Sequence, residues 1–484
     1  MKKQITIIYD DLRPVSSEIR SITGKNSFGA TILKRKTFRE RTAELITKIE
    51  IVAQAVSISV PQKASFPEIK DKCLPVVRLF SDFIINDLNK IEILFEKACY
   101  ADRIYRIKDD YENDASKKHA EIKRSGGLCA VIYPSYELYR DNADEEELSS
   151  FPEIITEAFI DLSDMNNFRQ YITSGFDARF FNALSGDEYT VVKSSSNKKK
   201  IKAEYEYYRL LPEEMRMWYA LAFNYRETES EASYTMERFH FTDLAIRYVH
   251  GAIDETEFSK IMDKLFFFLK SRKKKSVSSE EYDRHLKVLY VDKVKNRIEE
   301  LKSMDEFAGI ESLLRTGTDL GGIDQIVQRY YSLYEKMMEG RTFEHCLTVG
   351  HGDLCFSNIL YNKESEVLKL IDPKGALSEE ELYMNPYYDL CKLSHSICGS
   401  YDYFNSGLFE ITLSDENRLK LSIDSDNGRY IKIFSDKAQE YGYDFSLIRL
   451  YEASLFLSML PLHIDRKKKV LGFILNAVKI MDAL

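Results

Sequence analysis

Residues 351–360 read His-Gly-Asp-Leu-Cys-Phe-Ser-Asn-Ile-Leu, and residues 370–373 read Leu-Ile-Asp-Pro. The first stretch places Asp353 and Asn358 on one tight loop. Asp372 comes at the end of an apolar run, where a second strand can bring it opposite Asn358. Two oxygen-bearing side chains from neighbouring strands suit a hard divalent cation, which takes oxygen ligands. The two stretches together predict a carboxylate beside a cation site.

Phosphoryl transfer from ATP is the chemistry that such a set of groups can perform. It needs a carboxylate to orient the acceptor hydroxyl, further oxygen ligands to hold Mg²⁺ across the phosphates, and a lysine to neutralise charge. We assign Asp353 to the first role, and Asn358 and Asp372 to the second. The alternative is a polar turn between two buried strands, in which Asp372 only caps the turn before Pro373. The occurrence of both stretches in the right order favours the phosphoryl-transfer site.

These residues resemble the catalytic segments of aminoglycoside phosphotransferases and choline-kinase-like enzymes, which are relatives of the protein kinases. In that resemblance, HGDLCFSNIL matches the catalytic loop, and the later Ile-Asp-Pro stands where protein kinases have Asp-Phe-Gly. The resemblance implies that Asp353 is the catalytic residue, that Asn358 and Asp372 bind Mg²⁺, and that His351 packs under the loop. It covers roughly residues 160–465.

The same resemblance implies a lysine on a β-strand and a glutamate on the next helix. A Val-Val-Lys sequence ending at Lys193 supplies the lysine. Glu204 fits the glutamate better than Glu206 does, because apolar or aromatic residues recur four and seven positions after it. The segment Tyr-Thr-Met-Glu-Arg-Phe resembles the hinge between two lobes, so Met236 and Glu237 are expected to contact adenine.

Two further segments indicate which branch of this group of enzymes the chain resembles. Asn-Pro-Tyr-Tyr-Asp-Leu resembles the segment that follows the metal-binding aspartate, so Asp389 is expected to hydrogen-bond the catalytic loop. Between residues 179 and 190, Gly186 stands alone where protein kinases have a Gly-rich loop over the phosphates. This departure favours the small-molecule branch, whose acceptor pocket is expected among the C-terminal helices.

The predicted fold is a protein-kinase-like α+β fold with a small β-rich lobe and a large helical lobe, preceded by an α/β domain. Residues 1–155 alternate strands with helices and form that first domain. The acidic stretch 141–153 is the predicted linker. Residues 156–250 are expected to form the β-rich lobe, and residues 251–484 the helical lobe with the catalytic loop.

The first domain weakly resembles sugar-phosphate nucleotidyltransferases in its order of strand, basic loop, helix and strand. That resemblance implies Arg13, Lys25, Lys36 and Asp82 as residues that bind a nucleoside triphosphate and its metal. The Gly-x-Gly-x-Arg signature of those enzymes is missing. Two other interpretations therefore stay open: a degenerate relative without catalysis, and an unrelated α/β domain. A fused pair of such modules would suit synthesis of a precursor for a surface polysaccharide such as a capsule.

The composition restricts the classes of partner and the cellular location that we expect. The 484 residues have a formal net charge of −9, which argues against a nucleic-acid partner. Seven cysteines without a Cys-x-x-Cys pair predict a reducing, cytoplasmic location. No apolar run is long enough to span a bilayer.

The predicted function is ATP- and Mg²⁺-dependent phosphorylation of a hydroxyl on a small molecule, such as a sugar or an amino-alcohol. One alternative is a bifunctional nucleotidyltransferase-kinase. The other is a nucleotide-binding pseudokinase scaffold, which the complete set of Asp353, Asn358 and Asp372 disfavours. The sequence indicates no oligomeric state.

Overall fold

A computed structural model of the chain describes residues 4–33, 36–59, 66–109, 127–173, 184–186, 189–239, 241–414 and 418–484. The chain forms two compact units. The first runs to residue 176 and includes residues 250–252, and the second comprises residues 177–249 and 253–484. All seven cysteines are free thiols. None of the helices in these described ranges is long and apolar enough to cross a membrane.

A mixed six-stranded sheet forms the centre of the first unit. The described strands are β1 (Ile5–Asp11), β2 (Ile32–Leu33), β3 (Lys36–Thr37), β4 (Val52–Ser59), β5 (Val76–Phe80), β6 (Phe83–Ile85), β7 (Tyr105–Asp109), β8 (Leu128–Tyr133), β9 (Glu153–Thr156) and β10 (Phe159–Asp161). The sheet order is β4-β1-β5-β8-β7-β9, in which β8 is antiparallel to both neighbours. Every residue of β1 and β5 is buried, as expected for strands covered on both faces.

Five helices accompany this sheet in the described residues: α1 (Ser17–Thr23), α2 (Phe38–Ile46), α3 (Leu88–Ala98), α4 (Tyr136–Asp141) and α5 (Met165–Thr173). The predicted alternation of strands and helices is therefore present. Local sequence explains where α2 begins: Thr37 accepts a hydrogen bond from the Glu40 N–H, and the Glu40 carboxylate accepts one from the Thr37 N–H.

The predicted linker at 141–153 and the boundary at residue 155 need correction. Residues 146–150 form a 3₁₀-helix whose Leu148 side chain is fully buried in the core. β9 then pairs in parallel with β7, and β10 pairs antiparallel with β6. The acidic composition suggested a solvated connection, but one leucine and a strand bind this stretch to the sheet. The first unit therefore extends beyond the predicted boundary.

The second unit begins with a small β-rich lobe. Its described elements are β11 (Leu184–Gly186), β12 (Thr190–Ser195), α6 (Lys198–Leu210), α7 (Glu213–Arg216), β13 (Ala222–Glu227), β14 (Ala232–Glu237), β15 (Thr242–Asp243) and α8 (Leu244–Val249). Four strands form an antiparallel sheet in the order β11-β12-β14-β13. Helix α6 packs on it through Ile201, against Tyr234 and Met236. Pro212 follows soon after the helix ends, as the sequence predicts.

A larger helical lobe follows. Its helices are α9 (Glu255–Ser271), α10 (Ser279–Lys287), α11 (Lys293–Lys302), α12 (Phe307–Gly317), α13 (Ile323–Met338), α14 (Tyr387–Ile397), α15 (Tyr401–Asn405), α16 (Gly428–Glu440), α17 (Phe445–Ser458) and α18 (Lys467–Asp482). Its described strands are β16 (Lys274–Ser276), β17 (Cys346–Val349), β18 (Ile359–Asn362), β19 (Val367–Leu370), β20 (Tyr383–Met384), β21 (Phe409–Leu413) and β22 (Leu419–Ile423). The lobe's core is built mainly from α11, α13, α14, α17 and α18. The arrangement of a β-rich lobe and a helical lobe agrees with the prediction.

Candidate active site

The hairpin of β18 and β19 brings two of the predicted residues together. Ile359 lies opposite Leu370 in the register, and the N–H of Ile371 donates to the carbonyl of Asn358 at 3.0 Å. Asn358 and Asp372 therefore lie at the open end of the hairpin, on opposite strands. Asn358 lies opposite Ile371, the residue before Asp372, so the two strands bring both predicted residues to the same end of the hairpin.

The Asp353 carboxylate lies beside an amide and an ammonium group. The Asn358 Nδ2 donates to the Asp353 carbonyl at 2.8 Å and to its Oδ2 at 3.1 Å. Lys392 Nζ lies 2.8 Å from Asp353 Oδ1. Burial raises the pKa of Asp353, but the positive charge and hydrogen bond of Lys392 outweigh it, so the pKa is lowered overall. The carboxylate is therefore ionised at neutral pH, and its side chain remains 43% exposed.

Lys193 bridges the two lobes of the second unit. Its Nζ lies 2.8 Å from Glu204 Oε2 on α6 and 2.8 Å from Asp372 Oδ1. Burial lowers the pKa of Lys193, but the charges of Asp372 and Glu204 raise it above its usual value. Tyr234 also donates to Glu204 Oε2, at 3.2 Å. The predicted lysine and glutamate thus form an ion pair that reaches Asp372.

His351 is fully buried beneath the loop and joins its two halves. The Asp353 N–H donates to His351 Nδ1 at 3.2 Å, and His351 Nε2 lies 2.9 Å from the Ile371 carbonyl. These contacts require a neutral ring with the proton on Nε2. Burial lowers the pKa of His351, which keeps the ring neutral. The ring also stacks on Tyr219, with the centroids 5.8 Å apart.

Asp389 contacts the loop that follows β17, as the resemblance implies. Its carboxylate accepts hydrogen bonds from the backbone N–H groups of His351 at 3.0 Å and Gly352 at 2.8 Å. Gly352 has φ of 78°, a conformation that favours glycine. Arg272 Nη1 lies 2.8 Å from Asp389 Oδ2, and both side chains have zero exposure. The loop is therefore fixed by a buried ion pair.

The segment after Asp372 connects the site to helix α6. Asp372 itself has φ of 54°, and Gly375 has φ of 86°. The N–H of Ala376 donates to the carbonyl of Ala203 at 3.0 Å. A Cβ placed on Gly375 would lie 2.8 Å from the backbone carbon of Ala203. This close approach fixes the residue before Glu204 against the segment that carries Asp372.

The two predicted hinge residues, Met236 and Glu237, lie at the end of β14. Met236 is buried on the face of the sheet that packs against α6, the same face as Tyr234. The backbone N–H of Glu237 donates to the carbonyl of Leu221 at 2.9 Å. That N–H is therefore engaged within the lobe, and the contact of Met236 and Glu237 with adenine stays a prediction. Within the stretch 179–190, residues 179–183 and 187–188 lie outside the described residues.

Two residues of the site were missed in the sequence. Lys392 is a lysine in the otherwise apolar run Leu-Cys-Lys-Leu, and this single charge was the available signal. Arg272 lies 117 positions before Asp389 and gives no local sign of their pairing. Both residues act on the loop by charge, and both come from elements that the motif does not include.

Of the candidate residues predicted in the first unit, the structure brings Arg13 and Asp82 into contact, and Lys25 and Lys36 have other partners. Arg13 Nη1 lies 3.0 and 2.9 Å from the two carboxylate oxygens of Asp82. Lys36 pairs with Glu44 at 2.5 Å on an exposed surface. Lys25 donates its backbone N–H to the Thr23 hydroxyl at 3.1 Å.

Solved structures similar to this chain come from small-molecule kinases. One is a thermostable mutant of aminoglycoside phosphotransferase APH(4)-Ia in complex with ADP and hygromycin B; it is 10% identical, covers 65% of this chain and 97% of its own, and has a TM-score of 0.36. Another is a putative fructosamine-3-kinase from Haemophilus somnus 129PT, at 10% identity, 61% and 83% coverage, and a TM-score of 0.36. A third is aminoglycoside-3'-phosphotransferase of type VIII, at 14% identity, 56% and 84% coverage, and a TM-score of 0.33.

No family model matches the chain. No curated protein matches it either. The case for function therefore rests on the residues of the site.

Proposed function

We propose that the second unit is an ATP- and Mg²⁺-dependent phosphotransferase that acts on a hydroxyl group of a small molecule. The observation that carries this proposal is the position of Lys193 between Glu204 and Asp372, while Asp353 and Asn358 share the neighbouring loop. A lysine for phosphate charge, oxygen ligands for a cation and a carboxylate for the acceptor are the parts that phosphoryl transfer requires.

The open end of the hairpin fits a magnesium ion. Asp372 offers a carboxylate that is 24% exposed. Asn358 turns its amide nitrogen to Asp353, which leaves the amide oxygen for another ligand. These are hard oxygen donors of the kind that Mg²⁺ prefers, with the remaining positions left to water and phosphate. When bound, Mg²⁺ supplies positive charge to the phosphate oxygens.

The reaction follows from the roles of these side chains. The acceptor oxygen forms a bond to the γ-phosphorus of ATP, and the bond from that phosphorus to the β–γ bridging oxygen breaks to release ADP. The acceptor proton passes to Asp353 and then to water. Because Lys392 lowers the pKa of Asp353, this carboxylate is a weak base. We infer that Asp353 acts chiefly by orienting the hydroxyl and takes the proton late.

Substitution of Asp353 tests the proposal. Asp353→Ala should lower kcat at least ~10²-fold, because it removes the group that orients the acceptor. Asp319→Ala is the matched control, since its carboxylate is 82% exposed and lies outside the site. Transfer of label from γ-labelled ATP to a panel of alcohols is the measurement. A near-wild-type kcat in Asp353→Ala would refute the assignment, and nucleotide binding without any turnover would favour the pseudokinase scaffold.

The activity of the first unit would indicate the pathway in which the phosphotransferase acts. We propose that the chain supplies a phosphorylated precursor in the cytoplasm, with surface polysaccharide synthesis as one use. Nucleotidyl transfer by the first unit remains the alternative, and it requires Arg13 to leave the Asp82 carboxylate that a metal would need. Release of pyrophosphate from nucleoside triphosphates and sugar phosphates would establish that second activity.

A further inference from the structure

We propose that the acceptor carries an anionic group, a carboxylate or a phosphate, close to the hydroxyl that is phosphorylated, and that Lys293 and Lys392 bind this group. The inference rests on the proposed phosphotransferase function and adds the chemical class of its acceptor. It starts from the cations that surround Asp353.

Helix α14 presents Lys392 directly to Asp353. Tyr388, Lys392 and His395 lie four and three positions apart, so they share one face of the helix. A lysine ammonium group has three donors. One of them serves Asp353 Oδ1 at 2.8 Å, and the others can serve a second anion. An anion bound there would lie beside the carboxylate that orients the acceptor hydroxyl.

Lys293, the first residue of α11, supplies a second cation. Its Nζ donates to the Tyr388 hydroxyl at 2.8 Å. Throughout the described ranges, no carboxylate lies within 4.0 Å of this Nζ, so its charge is not neutralised by an ion pair. Burial raises the pKa of Tyr388, but the charges of Lys293 and Lys392 lower it overall. Lys293 therefore contacts the Tyr388 hydroxyl, and Lys392 lies one helical turn beyond Tyr388 on α14.

The groups behind these lysines add no negative charge to balance them. His395 is fully buried and stacks on Tyr401 with the ring centroids 4.2 Å apart. Burial lowers the pKa of His395, and the positive charges of Lys392, His463, Lys293 and Arg449 lower it further. The Glu452 carboxylate, which contacts Ser394 of α14, is bound to Arg449.

The balance of charge decides which acceptor fits. Asp353 pairs with Lys392 and leaves the charge of Lys293 without a partner carboxylate among the described residues, so the region carries excess positive charge. An acceptor with an amine would meet repulsion there, and one with a carboxylate or phosphate would complete two charge-assisted hydrogen bonds. Lys392 could instead contact the phosphoryl group in transit, because it lies beside Asp353. Lys293 has no contact with Asp353. A substitution of Lys293 therefore distinguishes binding of an acceptor anion from contact with the phosphoryl group in transit.

The test uses the full chain, γ-labelled ATP and acceptors matched in their hydroxyls but not in charge. Propane-1,2-diol, glycerate, glycerol 3-phosphate and 3-amino-1,2-propanediol form such a series, because each carries two vicinal hydroxyls. We expect label to pass to glycerate or glycerol 3-phosphate in preference to the neutral and cationic members, and the preferred one identifies the anion. Lys293→Gln should raise KM for that acceptor about tenfold or more and leave KM for ATP nearly unchanged. Lys295→Gln, an exposed lysine on the same helix, is the matched control.

A binding measurement covers the case in which none of these alcohols is phosphorylated. Inorganic phosphate is titrated calorimetrically into the protein saturated with AMP-PNP and Mg²⁺. Wild type and Lys295→Gln should bind it, and Lys293→Gln should bind it about tenfold more weakly. Equal binding by all three proteins, or none, overturns the inference.

Failure of this inference differs from failure of the proposed function. Transfer that depends on Asp353 but prefers neutral or cationic alcohols, with KM unaffected by Lys293→Gln, overturns the anionic acceptor and keeps the phosphotransferase. Transfer that persists undiminished in Asp353→Ala overturns the proposed function itself.

Discussion

At the scale of single residues, the backbone conformation of Asp372 determines which substitution the fold tolerates at this position. Its φ of 54° is one that asparagine and aspartate adopt more readily than other non-glycine residues. Asp372→Asn should therefore keep the fold while it removes the charge that holds the cation. We expect kcat to fall on the order of 10²-fold or more, measured with the Mg²⁺ dependence of turnover.

Asn358→Ala provides the comparison, because it removes a neutral ligand and should lower kcat less. Excess Mg²⁺ or added Mn²⁺ should partly restore its activity. The opposite result for Asp372→Asn, a shifted melting temperature with unchanged kcat and Mg²⁺ dependence, would mean that Asp372 only caps the turn before Pro373.

The buried pair of Arg272 and Asp389 supports the loop by charge. Arg272→Met leaves the Asp389 carboxylate buried without its cation, so the free energy of unfolding should fall by about 3–5 kcal/mol. Lys274→Met is the matched control, since that lysine is 57% exposed. Chemical denaturation of both variants measures the difference. A loss under about 1 kcal/mol in Arg272→Met would show that the backbone N–H groups alone hold Asp389.

The sequence predicted the residues whose chemistry is specific and missed those whose chemistry is generic. Asp353, Asn358 and Asp372 stand at fixed spacings that few other functions require. Lys392 contributes only a charge, and lysine is abundant on protein surfaces. Its role depends on the direction of its side chain from α14, which the fold determines.

At the scale of elements, the contact between α6 and the segment after Asp372 is tight enough to test. Gly375→Ala would place a Cβ 2.8 Å from the Ala203 backbone and push α6 away from the segment that carries Asp372. The ion pair of Lys193 with Glu204 would then lengthen. We expect kcat/KM for ATP to fall at least about tenfold, because positioning of the lysine is lost.

Gly340→Ala is the control for this change. Gly340 also has a positive φ, of 69°, but nothing lies within 4 Å of its added Cβ. Both variants should lose about 1–2 kcal/mol from backbone strain. Only Gly375→Ala should lose activity, and equal activity in the two variants would contradict the proposed link from α6 to the site.

Strands and helices with a clear hydrophobic periodicity were predicted correctly. The strand that carries Lys193 and the helix that carries Glu204 have local patterns, and both are present. The 3₁₀-helix and β9 were missed, because an acidic composition masked the buried Leu148. Pairing of β9 with β7 is a long-range contact, and local patterns do not encode it.

At the scale of the whole molecule, a buried carboxylate makes stability depend on pH. Asp402 is 1% exposed, and burial raises its pKa to about 7. Between pH 4 and 7 the folded protein keeps a proton that the unfolded chain has released, so stability falls as pH rises through this range. Asp402→Asn should remove that loss and be more stable than wild type at pH 8, by up to about 4 kcal/mol.

Thermal unfolding at pH 5 and pH 8 measures the effect. The gain from Asp402→Asn should be larger at pH 8 than at pH 5. Asp426→Asn, on an exposed residue, should show no such difference. A gain that is the same at both pH values would mean that Asp402 is ionised throughout.

The hairpin of β18 and β19 has a consequence for how related sequences can be found. The strand register brings Asn358 and Asp372 to the same end of the hairpin, whatever the length of the turn between Asn362 and Val367. A homologue could gain residues in that turn, or one on each strand, and keep the same juxtaposition. A search pattern with a fixed gap between asparagine and aspartate would therefore overlook it, and a pattern with a variable gap would recover it.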